Sequence, residues 1–310
     1  MRRPQEPIRW HKVRWDDKAL DGLADGEPDE GRLPDFLIVG AAKSATTSLY
    51  YYLNQHPEIG MSIPKEPNFF LRDDFRGALH EYERCFSRAG TVRGEASVRY
   101  TFHPSLPGVA ERIHSVLPHA KLIYVVRDPV DRAEAHYHQE YCSHRVGPRI
   151  EDAFADLADE RNLFVSVSKY AMQTEQYLRY FPRSAFMVID QAALRTAREQ
   201  TLRAVFSFLG VDTEFASDRF SLELNTRAQK LRVSEAGMRL RRSPLADLAR
   251  TVLPVKVREP VFDLARRNLT RSVPRTPLPA DVRSRLEEAL ADDSQRFREL
   301  SGLPFDHWSL

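Results

Sequence analysis

An α/β fold built on a central parallel sheet, with helices on both faces, is predicted by three features of this 310-residue chain. Short, wholly apolar runs recur at 36–39, 122–126 and 185–189, the first closed by Gly40 and the second by Arg127-Asp128-Pro129. Such runs suit strands buried on both faces rather than half-exposed ones. Helical patterns lie between and after them, and strands alternating with helices imply a parallel, two-face-covered sheet. Composition agrees, because 42% hydrophobic and 29% charged residues are ordinary for a globular chain.

The elements follow in order. Residues 1–34 are polar and read as an extended arm that packs through Trp10 and Trp15. Phe36 to Val39 is the first strand, closed by Gly40, and a helix begins near Ser44 with Leu49, Tyr52 and Leu53 on one face. That helix ends before Pro57. Thr91 to Glu95 is a weaker strand pattern. Leu122 to Val126 is a strand ended by Arg127-Asp128-Pro129. Tyr170 to Tyr180 is a helix stopped by Pro182, and Ala185 to Ile189 is a further strand. Leu202, Val205, Phe206 and Leu209 mark a helix from about Thr201, with Gly210 as its C-cap. Beyond residue 230 the chain reads as helices broken by Pro244, Pro254, Pro260, Pro274, Pro277 and Pro279, closing with Trp308. The expected organisation is an arm at 1–34, a core at 35–228, and a helical extension at 229–310 packed on the same domain.

Net charge is +2, which argues against a polycation made for nucleic acid. Between Arg227 and Arg275, thirteen Lys/Arg face four Asp/Glu, a bias suited to an anionic ligand, a membrane surface or simply a solvated helical face. Cys85 and Cys142 are the two cysteines, so a disulfide framework and a paired-cysteine metal site are not expected, and a reducing, cytoplasmic location is. No apolar stretch follows Met1-Arg2-Arg3, and no run approaches the eighteen apolar residues of a membrane span.

The chemistry concentrates at the first strand–helix turn, Val39-Gly40-Ala41-Ala42-Lys43-Ser44-Ala45-Thr46-Thr47-Ser48. Free N–H groups and a positive dipole end point out of such a turn and form an anion site. Lys43 adds a full charge, and four hydroxyls crowd the first helical turn although Ser and Thr are poor helix formers. A Walker loop would need a glycine directly before the lysine, and Ala42 stands there.

The turn resembles instead the 5′-phosphosulfate loop of sulfotransferases that use 3′-phosphoadenosine-5′-phosphosulfate (PAPS), whose common form is Pro-x-Lys-[Ser/Thr]-Gly-Thr-Thr. Ala41 and Ala45 stand where Pro and Gly are common. The segment 121–137, KLIYVVRDPVDRAEAHY, is similar to the family's 3′-phosphate-binding stretch, with Ala135 where a serine is usual. The heparan-sulfate-type and bacterial members are the nearest in pattern. The resemblance implies the P-loop-like sulfotransferase fold with a mostly helical C-terminal extension. It also implies PAPS as co-substrate, a carbohydrate, glycosylated or lipid acceptor, and no metal.

By the same resemblance, Ala42, Lys43, Ser44, Ala45, Thr46, Thr47, Ser48, Arg127, Tyr170, Arg227 and Lys230 would hold the nucleotide, with Arg232 a further candidate. Lys43 would also act in catalysis. Lys65-Glu66-Pro67-Asn68-Phe69-Phe70 resembles the family's Lys-Glu-x-x-Phe-Phe stretch, which makes Glu66 the expected general base, with a loop salt bridge to Lys65 as the plain alternative. Gly94 to Tyr100 is similar to a Gly-Glu-[Lys/Ala]-Ser-Pro-x-Tyr segment. Lys65, Phe69, Arg99 and Tyr100 are the expected acceptor contacts, and His103 is the second candidate base. Arg132 reads as a solvated helix residue more readily than as a second phosphate cation. A nucleotide kinase and a catalytically silent polyanion binder remain open at this point.

Overall fold

The computed structural model describes residues 33–86, 90–222, 231–233, 270–273 and 276–310. The arm with Trp10 and Trp15, the candidates Arg227 and Lys230, and most of the basic stretch lie outside these residues.

Five parallel strands form the central sheet: β1 (Phe36–Gly40), β2 (Ile59–Met61), β3 (Val92–Ala96), β4 (Lys121–Val126) and β5 (Phe186–Asp190), in the order β2-β3-β1-β4-β5. β1 is the centre, with Leu37 paired to Glu95 on one side and to Leu122 on the other. Among the described residues the helices are α1 (Thr46–Leu53), α2 (Leu79–Glu83), α3 (Val109–Val116), α4 (Pro129–Cys142), α5 (Ile150–Ala153), α6 (Leu163–Ser166), α7 (Tyr170–Leu178), α8 (Gln191–Thr196), α9 (Arg198–Leu209) and α10 (Ala280–Ser301).

Strand side chains alternate between faces, so β1 and β4 feed two cores at once. Leu37, Val39, Leu122, Tyr124 and Val126 join Tyr170, Tyr177, Phe297 and Trp308 on one face. Phe36, Ile38, Ile123 and Val125 join Leu49, Leu202, Val205 and Phe206 on the other. The apolar runs at 36–39 and 122–126 are apolar because no position along them reaches water, whereas in edge strand β5 Met187 and Val188 are only half-buried. Gly210 caps α9 in the left-handed conformation, φ 81°, as its position in sequence suggests.

Three departures from the sequence pattern stand out. β2, only three residues long, is too short to show a periodicity. The strand expected at 91–95 runs one residue later and lies inside the sheet, with Arg93 and Glu95 fully enclosed. Residues 231–233 and 270–272, in the stretch read as helical, form an antiparallel strand pair, β6 and β7. The last helix, α10, packs against α7. The Asp293 carboxylate accepts the N–H groups of Ala171 and Met172 at 2.9 Å each, and Phe297 stacks on Trp308.

Gly40 ends β1 for a steric reason. A Cβ there would stand 2.2 Å from the Thr101 hydroxyl and 2.9 Å from the Tyr124 ring. Gly40→Ala is expected to destabilise the chain by about 1–3 kcal/mol through overpacking, read as a lowered denaturant midpoint at unchanged slope.

Candidate active site

Parallel strands place all their C-terminal ends on one edge, and ligands of such sheets sit where the chain order reverses. Here the chain leaves β1 towards β2 and β3 on one side and reaches β4 on the other, so the reversal falls between β1 and β4. The turn 40–48 grows from that point. The Ala41 N–H donates to the Val125 carbonyl at 2.6 Å, tying the turn to β4. Lys43 and Ala45 are both left-handed, φ 73° and 67°, the conformation from which anion-binding nests of N–H groups are built. No side chain caps α1 and no acid stands in its first turn, so the positive end of the helix is uncompensated. Ser44 is fully buried, and its hydroxyl has no hydrogen-bond partner among the described residues. Ala42 and Thr46 are buried, while Thr47 and Ser48 are partly open. The Lys43 ammonium donates to the Gln139 side-chain carbonyl on α4 at 3.1 Å.

Arg127 stands on the neighbouring strand end. Asp128 caps α4 by accepting from the Asp131 N–H, with Pro129 in the first turn. The Arg127 guanidinium donates to Asp131 at 2.9 Å and its backbone carbonyl accepts from the Tyr170 hydroxyl at 2.9 Å. The two cations expected to grip the nucleotide thus flank one edge of adjacent strands. Tyr170 holds a different place from the one its motif implied. It is wholly enclosed, packed on Tyr124, Phe297 and Trp308, and props the Arg127 turn from beneath.

Arg132 is not solvated. It is fully buried and donates to Ser168 Oγ at 2.7 Å and the Phe164 carbonyl at 2.7 Å, with the His136 ring at 3.2 Å. Burial pulls its pKa down to about 10. An arginine on an otherwise mixed helix face looks exposed from sequence because its partners lie 31 to 36 residues away.

The residues expected to contact the acceptor lie across β1 from Arg127. The Ala96 N–H of β3 donates to the Lys65 carbonyl at 3.3 Å, so Lys65 and Glu66 sit at the end of β3. The buried Lys65 ammonium meets the Glu66 carboxylate at 2.8 Å, and that carboxylate remains about one-third exposed. Glu66, Lys43 and Arg127 therefore follow one another along the strand ends β3, β1 and β4. Arg99 is half-enclosed. Burial and the charge of Arg145 lower its pKa, with Glu66 opposing. Phe69 and Tyr100 are core residues instead of open contacts: Phe69 stacks on Tyr82, and the Tyr100 hydroxyl accepts from the Phe70 N–H at 3.3 Å. His103 has a separate electrostatic neighbourhood. Burial lowers its pKa, as does Arg179, against Glu160, and both its backbone groups bond to the Gln173 amide.

Gln139, Asp131 and Glu95 were not anticipated as parts of the site. Glu95 is fully buried, and burial raises its pKa to about 7 against the hydroxyls of Tyr100, Ser97 and Tyr82, with the charge of Glu66 adding to the rise. A charged residue inside a strand pattern was the available signal.

A family model for the sulfotransferase domain matches residues 33–235. The chain belongs to the sulfotransferase family, a family of transferases. It is 31% identical over 219 residues to the human bifunctional heparan sulfate N-deacetylase/N-sulfotransferase 3, covering 63% of this chain and 24% of that protein. It is 31% identical over 229 residues to human heparan sulfate glucosamine 3-O-sulfotransferase 6, covering 71% and 64%. The chain thus spans about a quarter of the bifunctional relatives it matches. The crystal structure of a sulfotransferase from Alicyclobacillus acidocaldarius shares the fold, with a TM-score of 0.63, 24% identity, and coverage of 90% of this chain and 100% of that one. This sulfotransferase-family fold is the one the resemblance implied.

The cytoplasmic location expected from the cysteine count does not stand. It conflicts with the relatives the chain matches, which are heparan sulfate sulfotransferases. No helix among the described residues is long and apolar enough to cross a membrane.

Two outcomes follow for this family member. Ala45 holds a left-handed φ of 67° that costs an L-residue about 1 kcal/mol or more. Ala45→Gly is therefore expected to raise stability by about 1 kcal/mol in denaturant titrations. Glu95, ordinarily near 4.5, binds its proton more tightly when folded. Its contribution to stability is complete below about pH 4.5 and is lost as pH rises through about 7. Relative to Glu95→Gln, the parent should lose on the order of 3 kcal/mol of stability between pH 4.5 and pH 8, measured by parallel urea titrations.

Proposed function

We propose that the chain transfers the sulfuryl group of PAPS to a hydroxyl or amine of a carbohydrate acceptor, with Glu66 as general base. One arrangement carries this reading: a carboxylate, a lysine in an uncapped helix-start turn and an arginine follow one another on the ends of β3, β1 and β4. Acceptor, sulfuryl group and nucleotide would bind in that same order. Donors suited to the transferring group stand in the middle, and the second phosphate grip stands one strand away, about 5 Å in the pairing direction.

The acceptor oxygen or nitrogen attacks sulfur, and the bond from sulfur to the 5′-phosphate oxygen breaks. The acceptor's proton passes to Glu66, and the electron pair stays on the leaving 3′,5′-bisphosphoadenosine. Lys43 and the N–H groups opening α1 stabilise charge that grows on the sulfuryl and bridging oxygens. Arg127, aligned by Asp131, binds the 3′-phosphate bidentately. Lys65 fixes the direction of the Glu66 carboxylate. Glu66 is preferred to His103 because it shares its electrostatic surroundings with Arg99 and Glu95 at the strand ends, whereas His103 answers to Arg179 and Glu160. The named relatives include both an N- and a 3-O-sulfotransferase of heparan sulfate, which supports a glycan acceptor and leaves either atom as nucleophile.

Transfer of radiolabelled sulfate from PAPS to N-desulfated and to 3-O-unsulfated heparan sulfate oligosaccharides tests this. Lys43→Ala and Glu66→Gln are each expected to lower turnover by about 100-fold or more. Parent-like turnover in both variants would contradict the assignment.

A further inference from the structure

The buried carboxylate of Glu95 does not reach the open edge, yet its hydrogen bonds lead there. The Ser97 hydroxyl donates to Glu95 Oε2 at 3.1 Å and accepts the Asn68 N–H at 3.0 Å. Asn68 in turn donates its side-chain amide to the Glu66 carbonyl at 3.0 Å and holds the left-handed conformation, φ 51°. The Ser97 N–H donates to the Ile38 carbonyl of β1 at 3.1 Å. Glu95 and Ser97 are fully enclosed and Asn68 nearly so.

We propose that Glu95 and Ser97 are positioning residues for Glu66, forming a carboxylate–hydroxyl–amide relay that fixes the turn carrying the base to the strand carrying Lys43. The proposal rests on the assignment of Glu66 as base. Its physical basis is directional. A serine hydroxyl has one proton, and the Glu95 carboxylate in its ionised form, which only accepts, draws it inward. That leaves the hydroxyl's lone pairs for the Asn68 N–H, so the hydroxyl cannot turn to donate outward. A left-handed Asn68 is held by this bond against the extended conformations it would otherwise prefer. Ser97 is thus bound through its main chain to β1 and through its side chain to the Glu66 turn, and it sets the distance between base and lysine. A base displaced by about 1 Å can cost on the order of 100-fold in rate.

The test uses the full chain, as Ser97→Ala, Glu95→Gln, Glu66→Gln and the Ser97→Ala/Glu66→Gln double variant. Three readouts are taken: amide hydrogen exchange by peptide, calorimetric affinity for 3′,5′-bisphosphoadenosine, and turnover with PAPS and N-desulfated heparan sulfate. In Ser97→Ala, exchange in the 63–70 peptide should quicken by about tenfold while the 40–48 turn is unchanged. Bisphosphate affinity should stay within about twofold, and kcat should fall by about 10- to 100-fold. The double variant should be no slower than Glu66→Gln, because a residue that acts through Glu66 has nothing left to position. Glu95→Gln, whose amide donates as well as accepts, should also quicken exchange in the 63–70 peptide and lower kcat by a smaller factor than Ser97→Ala, and a Glu95→Gln variant unchanged in both would overturn the part assigned to Glu95. Unchanged exchange at 63–70, or losses from Ser97→Ala and Glu66→Gln that multiply, would overturn the positioning role alone. Parent-like turnover by Glu66→Gln would overturn the base assignment and the role together.

Discussion

Pairing of β1 between β3 and β4 is the constraint on which the site depends. Three parallel strands in this order bring three chain segments, far apart in sequence, to one edge: the Glu66 turn, the Lys43 turn and the Arg127 turn. None of these segments could hold its geometry alone. The Lys43 turn contains two left-handed non-glycine residues, and the main-chain bond from Ala41 to Val125 locks it against β4. Strain of this kind persists where the surrounding structure over-determines the backbone, as the tight packing of Gly40 under Thr101 and Tyr124 does here.

Charge is distributed with the same economy. The open edge keeps Lys43, Arg127 and Arg99 partly accessible, whereas Arg132 lies behind it with neutral partners only. A buried guanidinium without a carboxylate is costly unless its donors are satisfied, and the Ser168 hydroxyl, the His136 ring and the Leu163 and Phe164 carbonyls meet that condition. On the opposite side Glu95 plays the reciprocal part, a buried carboxylate whose Oε2 accepts from the Ser97 hydroxyl. The C-terminal helix α10 contributes to the same edge indirectly. Arg283 lies 3.5 Å from Asp131, the residue that aligns Arg127, and the Ser309 N–H bonds the Asp128 cap at 2.6 Å.

How much of this was legible beforehand follows the range of the interactions. Strands β1 and β4 were readable because burial on both faces leaves an unbroken apolar run, and edge strand β5 keeps an apolar run although Met187 and Val188 are only half-buried. Strand β3 was faint because Arg93 and Glu95, enclosed by partners from elsewhere, interrupt that run, and β2 was invisible at three residues. At the site, Lys43, Arg127 and Glu66 were readable as motif positions. Tyr170, Phe69 and Tyr100 belong to the same motifs, yet their side chains face the core and support the site from below. Arg132 was misjudged, and Gln139 and Glu95 were missed, for one reason. Arg132 and Gln139 take partners from other segments, Ser168, Phe164 and Lys43, and Glu95 is enclosed by the strands on either side of β3, none of which local pattern records.

The central claim is that the β1 and β4 strand ends form one site for a nucleotide bearing both 3′- and 5′-phosphates. Isothermal titration of the parent chain and of Arg127→Ala with 3′,5′-bisphosphoadenosine, and with ATP and Mg²⁺, measures it directly. The account predicts bisphosphate binding by the parent that weakens by at least about tenfold in Arg127→Ala, from loss of a charge-assisted bidentate contact, and no comparable binding of ATP. Equal affinity for ATP, or bisphosphate binding indifferent to Arg127, would contradict it.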